Sequence, residues 1–445
     1  MGLISLLLIL LLIVSCATNP VTRKTELMLI STAKEKQLGE EGELKISKES
    51  LEEGPFIKNG WPVEYLQRIV NGFMPFYERS GTMPVSVAIS TSAVPNAWSV
   101  PGYITVHIGI IPCFDNEAQL AFVLGHELGH IAARHVAERY TQSTILSLGT
   151  SLLGAYAGRL PELLGNVAAS LYIASYSRGQ ERLADKQGLK YMALSGYDPA
   201  ETYKAMEKIE TCSKRYMNYM GIKEPKGFAG FISRILRDHP GTEERIRDLK
   251  LWATDYKRTF VTNRYDFGRI KRWAETRDKV LIKLEKAVYL ASKDKYDEAD
   301  ELIQQATKEM DKDFEPEVKA KIYALAAYAY MKLEDYTTAV NYAYKAMELV
   351  PDFYVSYKIA GVSGLKSGSN YDLKRALKAF EMCLVRKYND PDYRRILRRK
   401  PIDPTCFKGA MVASCRLRNE KKCRRYCKLY YKKNGPTRLF VRYCL

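Results

Sequence analysis

Several kinds of hydrophobic pattern succeed one another along the chain. Residues 3–14 are an almost unbroken apolar run, shorter than the roughly 20 residues that span a bilayer. A charged helix is expected from about Thr32, with Glu35 completing a capping box, and another helix between Pro62 and Ser80. Residues 85–89 and 103–108 are rich in β-branched side chains and predict two strands. Between them, Pro95 and Pro101 bracket a stretch that reads as an edge strand, because proline cannot donate to an interior ladder. The pattern then turns helical: Asn116 is a candidate N-cap, Gln119 follows at the capping-box spacing, and residues 118–124 are otherwise apolar. Residues 145–176 are rich in Leu, Ala, Gly and Ser but broken by Arg159, Pro161 and Glu162, and they read as two buried helices or as an apolar flap. A further helix contains residues 177–185 and stops at Gly196-Tyr197-Asp198-Pro199, a C-cap glycine followed by a proline.

Beyond Val280 the pattern repeats. Ala287, Ala299 and Ala306 recur 40 residues later as Ala327, Ala339 and Ala346, at the small-residue spacings of tetratricopeptide helix pairs. Gly361, Ala376 and Cys383 suggest a third repeat with a short insertion in its turn. Residues 407–418 and 422–433, broken at Asn419-Glu420, predict one more helical hairpin, which would make Cys415 and Cys423 neighbours across its turn.

Composition changes this picture in two ways. A length of 445 residues allows two or three domains, and 46% hydrophobic with 27% charged is ordinary globular composition, which excludes a disordered chain. The net charge of +18 is concentrated: from Arg394 onward 17 Lys/Arg face 2 Asp/Glu, so the basicity belongs to a tail. That tail holds Cys406, Cys415, Cys423, Cys427 and Cys444, which with Cys383 make six cysteines open to oxidation outside the cytosol.

Chemistry enters at His126-Glu127-Leu128-Gly129-His130, inside the helical run. At about 100° per residue, His126 and His130 lie roughly 40° apart on one face, so both imidazoles reach one metal ion. Glu127 projects about 60° to the side of His130, which suits a base for the attacking water better than a ligand. His135 falls about 180° from His126 on the same wheel and is excluded as a ligand. A two-histidine zinc site needs a third protein ligand and an open position. Glu181 would fill the third place, and Asp185, one turn on, would accept the other ring N–H of a ligand histidine. On spacing alone the Glu181/Asp185 pair also reads as a solvated face.

With both motifs in hand, residues 16 to about 251 resemble metallopeptidase family forty-eight, the family of the CAAX prenyl proteases and heat-shock membrane zinc peptidases. The likeness extends to its periplasmic lipoprotein branch with tetratricopeptide repeats. His126-Glu127-Leu128-Gly129-His130 is similar to the family's metal motif and Glu181-Arg182-Leu183-Ala184-Asp185 to its third-ligand motif. Asn96-Ala97 matches the substrate-strand signature, and Asp238-His239-Pro240 followed by Arg245 matches the His-Pro…Arg element. The resemblance implies an α+β zincin-like metallopeptidase domain followed by an all-α tetratricopeptide-repeat domain. It implies one Zn2+ per chain on His126, His130 and Glu181, with Glu127 as the base and Asp185 behind a ligand. It also implies His239 or Arg245 as the donor to the oxyanion, and Asn96 and Ala97 along the substrate.

The organisation expected is a signal peptide over 1–15, a metallopeptidase domain over 16–260, a linker over 261–279, repeats over 280–392 and a basic cysteine-rich helical tail over 393–445. Ile13-Val14-Ser15-Cys16 resembles a bacterial lipobox, which implies lipidation of Cys16, and Ala17 after it favours the outer membrane over the inner. The expected setting is therefore the periplasm of a Gram-negative-type bacterium. The substrates implied are misfolded or stalled envelope and outer-membrane proteins. The partners expected are the outer-membrane assembly machinery on the repeats and an anionic membrane surface on the tail, and export excludes nucleic acid. A chaperone-like scaffold with a latent metal site is the function of another class that these features also allow.

Overall fold

The computed structural model describes residues 16–152, 176–222, 242–263, 265–397, 403–434 and 438–444. The apolar run 3–14, residues 153–175 of the Leu/Ala/Gly-rich stretch, and Asp238-His239-Pro240 lie outside the described residues. The chain divides into two compact units, one of Met1–Glu43, Lys58–Ile89 and Val94–Glu275, the other of Leu44–Ile57, Ser90–Ala93 and Thr276–Leu445.

The first unit begins with an antiparallel ribbon of β1 (Cys16–Thr18) and β2 (Thr25–Leu27). Helix α1 (Thr32–Glu49) starts where expected, but its first turn is capped by Ser31, whose Oγ accepts from the Lys34 N–H at 3.2 Å. Glu35 is not part of a capping box: its buried carboxylate binds both Nη atoms of Arg79 at 2.9 and 2.8 Å and Nε of Arg134 at 3.1 Å. A carboxylate taken out of water must be paired, and that requirement overrides the local cap. Helix α2 (Trp61–Phe73) precedes a sheet in which β3 (Ser86–Ser90), β5 (Tyr103–His107) and β4 (Ala97–Val100) lie side by side in that order, with β4 at the edge. β4 pairs antiparallel with β5 from Ala97↔Val106 to Val100↔Tyr103, in agreement with the flanking prolines.

Helix α3 (Glu117–Ala132) is buried along its whole length, so its sequence shows apolar continuity and no polar face. Asn116 caps it by accepting the Gln119 N–H at 3.1 Å. The buried Glu117 carboxylate accepts hydroxyl protons from Tyr65 and, at 2.7 Å, from Tyr197. Around α3 lie α4 (His135–Leu152), α5 (Arg178–Leu194) and α6 (Glu201–Met220), and α7 (Thr242–Trp252) packs on α5 and α6. A capping box of Ser177 and Gln180 opens α5. A disulfide between Cys113 and Cys212 ties the turn before α3 to α6, a pairing that the cysteine pattern of the tail did not reveal.

From residue 276 on, the second unit is helical among the described residues. It contains the end of α8 (Phe267–Ala291), then α9 (Tyr296–Glu309), α10 (Pro316–Lys332), α11 (Tyr336–Leu349), α12 (Tyr354–Ser367), α13 (Asn370–Asn389), α14 (Pro391–Leu397), α15 (Pro404–Arg416), α16 (Glu420–Asn434) and α17 (Arg438–Cys444). Ala287, Ala299, Ala306, Ala327, Ala339 and Ala346 are all fully buried between these helices. A Cβ on Gly361 would stand 2.3 Å from Phe380 Cζ, so only glycine fits there. Residues 44–57 are built into this unit: the Lys321 ammonium donates to the carbonyls of Leu51, of Glu52 at 2.9 Å and of Gly54 at 3.3 Å. Disulfides join Cys383–Cys406, Cys415–Cys423 and Cys427–Cys444. No described helix is long and apolar enough to cross a membrane.

Candidate active site

Helices α3 and α5 meet through glycines. A Cβ on Gly188 would lie 2.9 Å from the backbone nitrogen of His126, and one on Gly129 would lie 2.9 Å from Gln187 Cβ. With no side chain in between, the backbones approach closely enough for Glu181 and Asp185, both wholly buried, to face His126 and His130.

The donor atoms converge. Nε2 of His126 and Nε2 of His130 are 3.1 Å apart. Glu181 Oε2 stands 3.7 Å from the first and Oε1 3.4 Å from the second. Bonds of about 2.1 Å at tetrahedral angles separate donor atoms by about 3.4 Å, so this group suits one zinc-sized cation.

The far side of each ring is held as well. His126 Nδ1 faces Asp185 Oδ1 at 2.9 Å, and His130 Nδ1 faces His135 Nδ1 at 2.8 Å. Burial pushes the Asp185 carboxyl up, but the charge and hydrogen bonds of Arg245 outweigh it and hold the group below its ordinary value. An ionised carboxylate only accepts, so Asp185 suits an Nδ1–H on His126, the tautomer whose Nε2 lone pair would turn inward. Burial pushes His135 down to about 3 and His130 well below its ordinary value, so both rings are neutral. In the tautomer where His130 donates from Nδ1 to His135, both Nε2 lone pairs would face one another at 3.1 Å, an arrangement suited to a cation between them.

The place of His135 corrects the helical-wheel reading. The wheel puts it on the far face, but α3 ends at Ala132, Arg134 takes φ 60°, and α4 starts at His135. Glu35 fixes that turn by binding Arg134, while Arg79 joins Glu35 to the Ile131 carbonyl at 2.7 Å. His135 is thus a support for His130 on the side away from the donor group. The ring of Tyr176 also lies on His130, with centroids 3.8 Å apart, and the Arg139 guanidinium covers its other side at 3.9 Å.

Arg245, expected with His239 as an alternative donor to the oxyanion, is found among carboxylates. It binds Asp185 through Nε and Nη2, both at 2.7 Å, and Glu181 through Nη1 at 2.8 Å. Three of its nitrogens are committed to carboxylates, an arrangement that suits positioning Glu181 and Asp185. His239 lies outside the described residues.

Glu127 Oε2 accepts from the Ser99 hydroxyl of β4 at 2.8 Å, a contact the sequence did not suggest. Asn96 and Ala97 stand at the start of β4, where the Asn96 carbonyl accepts the His107 N–H at 3.0 Å. Both line a cavity of about 180 Å³ that also reaches His126, Glu127 and Arg245. The edge strand, the Glu127 side chain and the donor group therefore border one space.

A family model described as peptidase family M48 matches residues 61–253, which contain every residue of this group. The chain carries an M48 metallopeptidase domain. The β-barrel assembly-enhancing protease of Yersinia pestis is 28% identical over 236 residues, 46% of this chain and 46% of that protein. Its counterpart in Escherichia coli strain K12 is 28% identical over 176 residues, 37% of this chain and 34% of that protein. The mitochondrial metalloendopeptidase OMA1 of Arabidopsis thaliana is 35% identical over 124 residues, 28% of this chain and 25% of that protein. The chain thus spans less than half the length of each of these curated relatives, and the M48 likeness is carried by its first unit.

Proposed function

We propose that this chain is a zinc-dependent endopeptidase acting on unfolded or misassembled proteins of the bacterial envelope. The observation that carries the reading is the group of two Nε2 atoms and one carboxylate, 3.1–3.7 Å apart, beside Glu127 on a cavity wall. His126, His130 and Glu181 would hold the ion. Zinc, when bound, supplies Lewis-acid polarisation of a peptide carbonyl and of water. Asp185 and His135 keep the two imidazoles in the ligating tautomer, and Arg245 holds Glu181 and Asp185 in place. Glu127 takes a proton from the attacking water and delivers it to the leaving amine. Asn96 and Ala97, on the edge strand, align the substrate backbone as an added strand. His239 remains the candidate donor to the oxyanion.

The wider reading extends from this core. Relatives named for β-barrel assembly support envelope and outer-membrane proteins as substrates and the periplasm as the setting, and the lipobox-like Ile13-Val14-Ser15-Cys16 is what supports Cys16 as a lipid anchor in the outer membrane. The buried alanines at repeat spacing support a tetratricopeptide-like organisation of α8–α13 and a docking role toward assembly components. The basic helices after residue 393 fit an anionic membrane surface.

The test is Glu127→Gln in the full chain, with zinc content and hydrolysis of an unfolded protein measured together. Zinc is expected to stay while turnover falls at least about 100-fold. Turnover within about tenfold of wild type would retire Glu127 as the base and the reading with it.

A further inference from the structure

We propose that the cavity beside the donor group is a selective subsite for one bulky apolar side chain next to the scissile bond, and that Met206 and Ile209 of α6 set its depth. The inference rests on the peptidase reading and names the substrate feature that such a peptidase would select.

The cavity is a slot between two helical faces. Met206, Ile209, Glu210, Ser213 and Lys214 follow one another at steps of three and one, which is a single face of α6. Opposite, α3 contributes Phe122 and Val123 on one turn and His126 and Glu127 on the next. One helical turn is about 5.4 Å, so the apolar part lies a single turn from the reacting centre. A peptide carbonyl at His126 and Glu127 directs an adjoining side chain toward Phe122, Val123, Met206 and Ile209, with Ile110 beside them.

Charge is arranged so that it does not choose. Apart from the groups of the centre itself, the ionised residues on the wall are Glu210 and Lys214, which pair with each other at 2.5 Å. Lys214 has 72% of its side chain exposed and Glu210 33%, so the pair sits at the mouth and not in the depth. A charged side chain entering would lose its hydration among Phe122, Val123, Met206 and Ile209 and gain no counter-charge there. Glycine would leave that apolar wall wet. Shape is fixed too: Cys113 closes the turn that carries Ile110, and its disulfide to Cys212 anchors α6 next to Ser213. The Ile110 turn and α6 are covalently tied, which makes the slot a gauge of side-chain size.

The experiment is cleavage-site profiling by mass spectrometry on a proteome-derived peptide library, using the zinc-loaded full chain, Ile209→Trp and Met206→Ala. Wild type should favour Leu, Ile, Met and Phe over Asp, Glu, Lys and Gly by about tenfold or more at one fixed position beside the cut. Ile209→Trp, which shortens the slot, should shift that position toward Ala and Ser, with the Leu-to-Ala preference falling about tenfold or more. Met206→Ala, which deepens it, should admit Trp and Tyr. Turnover with a flat profile at that position, or an identical profile in all three proteins, overturns the subsite and leaves the peptidase reading standing. A zinc-loaded wild type that cuts nothing overturns both.

Discussion

His135 Nδ1 stands 2.8 Å from His130 Nδ1, in a helix that starts only after α3 has ended. His135 thereby does for His130 what Asp185 does for His126. One ring leans on an anion and the other on a neutral imidazole, so as zinc ligands the two Nε2 atoms would differ in basicity.

His135→Ala should lower zinc affinity about 10- to 100-fold, as loss of a partner behind a metal-ligating histidine generally does. His135→Asn, which offers a carbonyl acceptor at similar reach, should recover part of it. Competition with a chelating dye measures both. Equal affinities in wild type and His135→Ala would transfer the orienting role to another neighbour of His130, such as Tyr176.

The contact between α3 and α5 predicts a position-specific effect of one methyl group. Gly188→Ala should cost about 1–3 kcal/mol of stability and weaken zinc binding, because Glu181 and Asp185 move away with their helix. Gly179→Ala is the control on the same helix. Its added Cβ would meet only Ser177 Oγ, at 3.9 Å, so the helix should be unchanged or slightly more stable. Thermal unfolding and zinc titration of the two variants separate close approach from a general intolerance to alanine.

Acid should loosen the second unit through Asp403. Burial raises this carboxyl, but Lys358 at 2.9 Å and Lys387 at 3.1 Å outweigh burial and hold it at about 2, against an ordinary 3.8. A carboxyl lowered by folding contributes stability above its unfolded value and loses it as pH falls toward the folded one. The loss is roughly 2 kcal/mol across about pH 4 to 2. Asp403→Asn retains a cap for the Thr405 and Cys406 N–H groups and should flatten that part of the curve. Glu49 and Asp390, also held low by lysines, would supply the slope that remains. Denaturant melts of both proteins against pH decide the matter, and equal slopes would refute it.

On α16, Lys421, Arg424, Arg425, Lys428 and Lys432 are exposed together with Leu429 and Tyr431. In a Cys16→Ser background, replacing these five cations with Ser should reduce binding to phosphatidylglycerol vesicles at 0.1 M salt, where the Debye length is about 10 Å. At 1 M salt, where it is about 3 Å, the two proteins should bind alike. Equal binding at low salt would make the helix a solvated face.

What the sequence disclosed was local. His126 and His130 announce themselves because a helix brings residues four apart to one side, and Pro95 and Pro101 mark β4 because proline spoils a ladder. The buried alanines from 287 to 346 were legible for the same reason, a fixed period. The rest depended on where the chain turned. His135 escaped because a wheel assumes a helix that Arg134 had already broken. The clamp of Arg245 on Asp185 and Glu181 was not legible, since it spans about sixty residues and has no periodic signature. Ser99 sat unmarked in a strand, and Cys113 and Cys212 are 99 residues apart. Glu35 looked like a cap because nothing in its neighbourhood announces Arg79.

Lys321 takes its carbonyl partners from a loop 270 residues earlier in the chain. During synthesis, residues 51–54 leave the ribosome long before the lysine that will bind them, so the second unit cannot close its core until most of the protein has been made. It also follows that the chain cannot be divided at residue 275 into two working halves. The C-terminal piece would start without residues 44–57 and 90–93, which it needs as structural members, and the N-terminal piece would carry them with nothing to join.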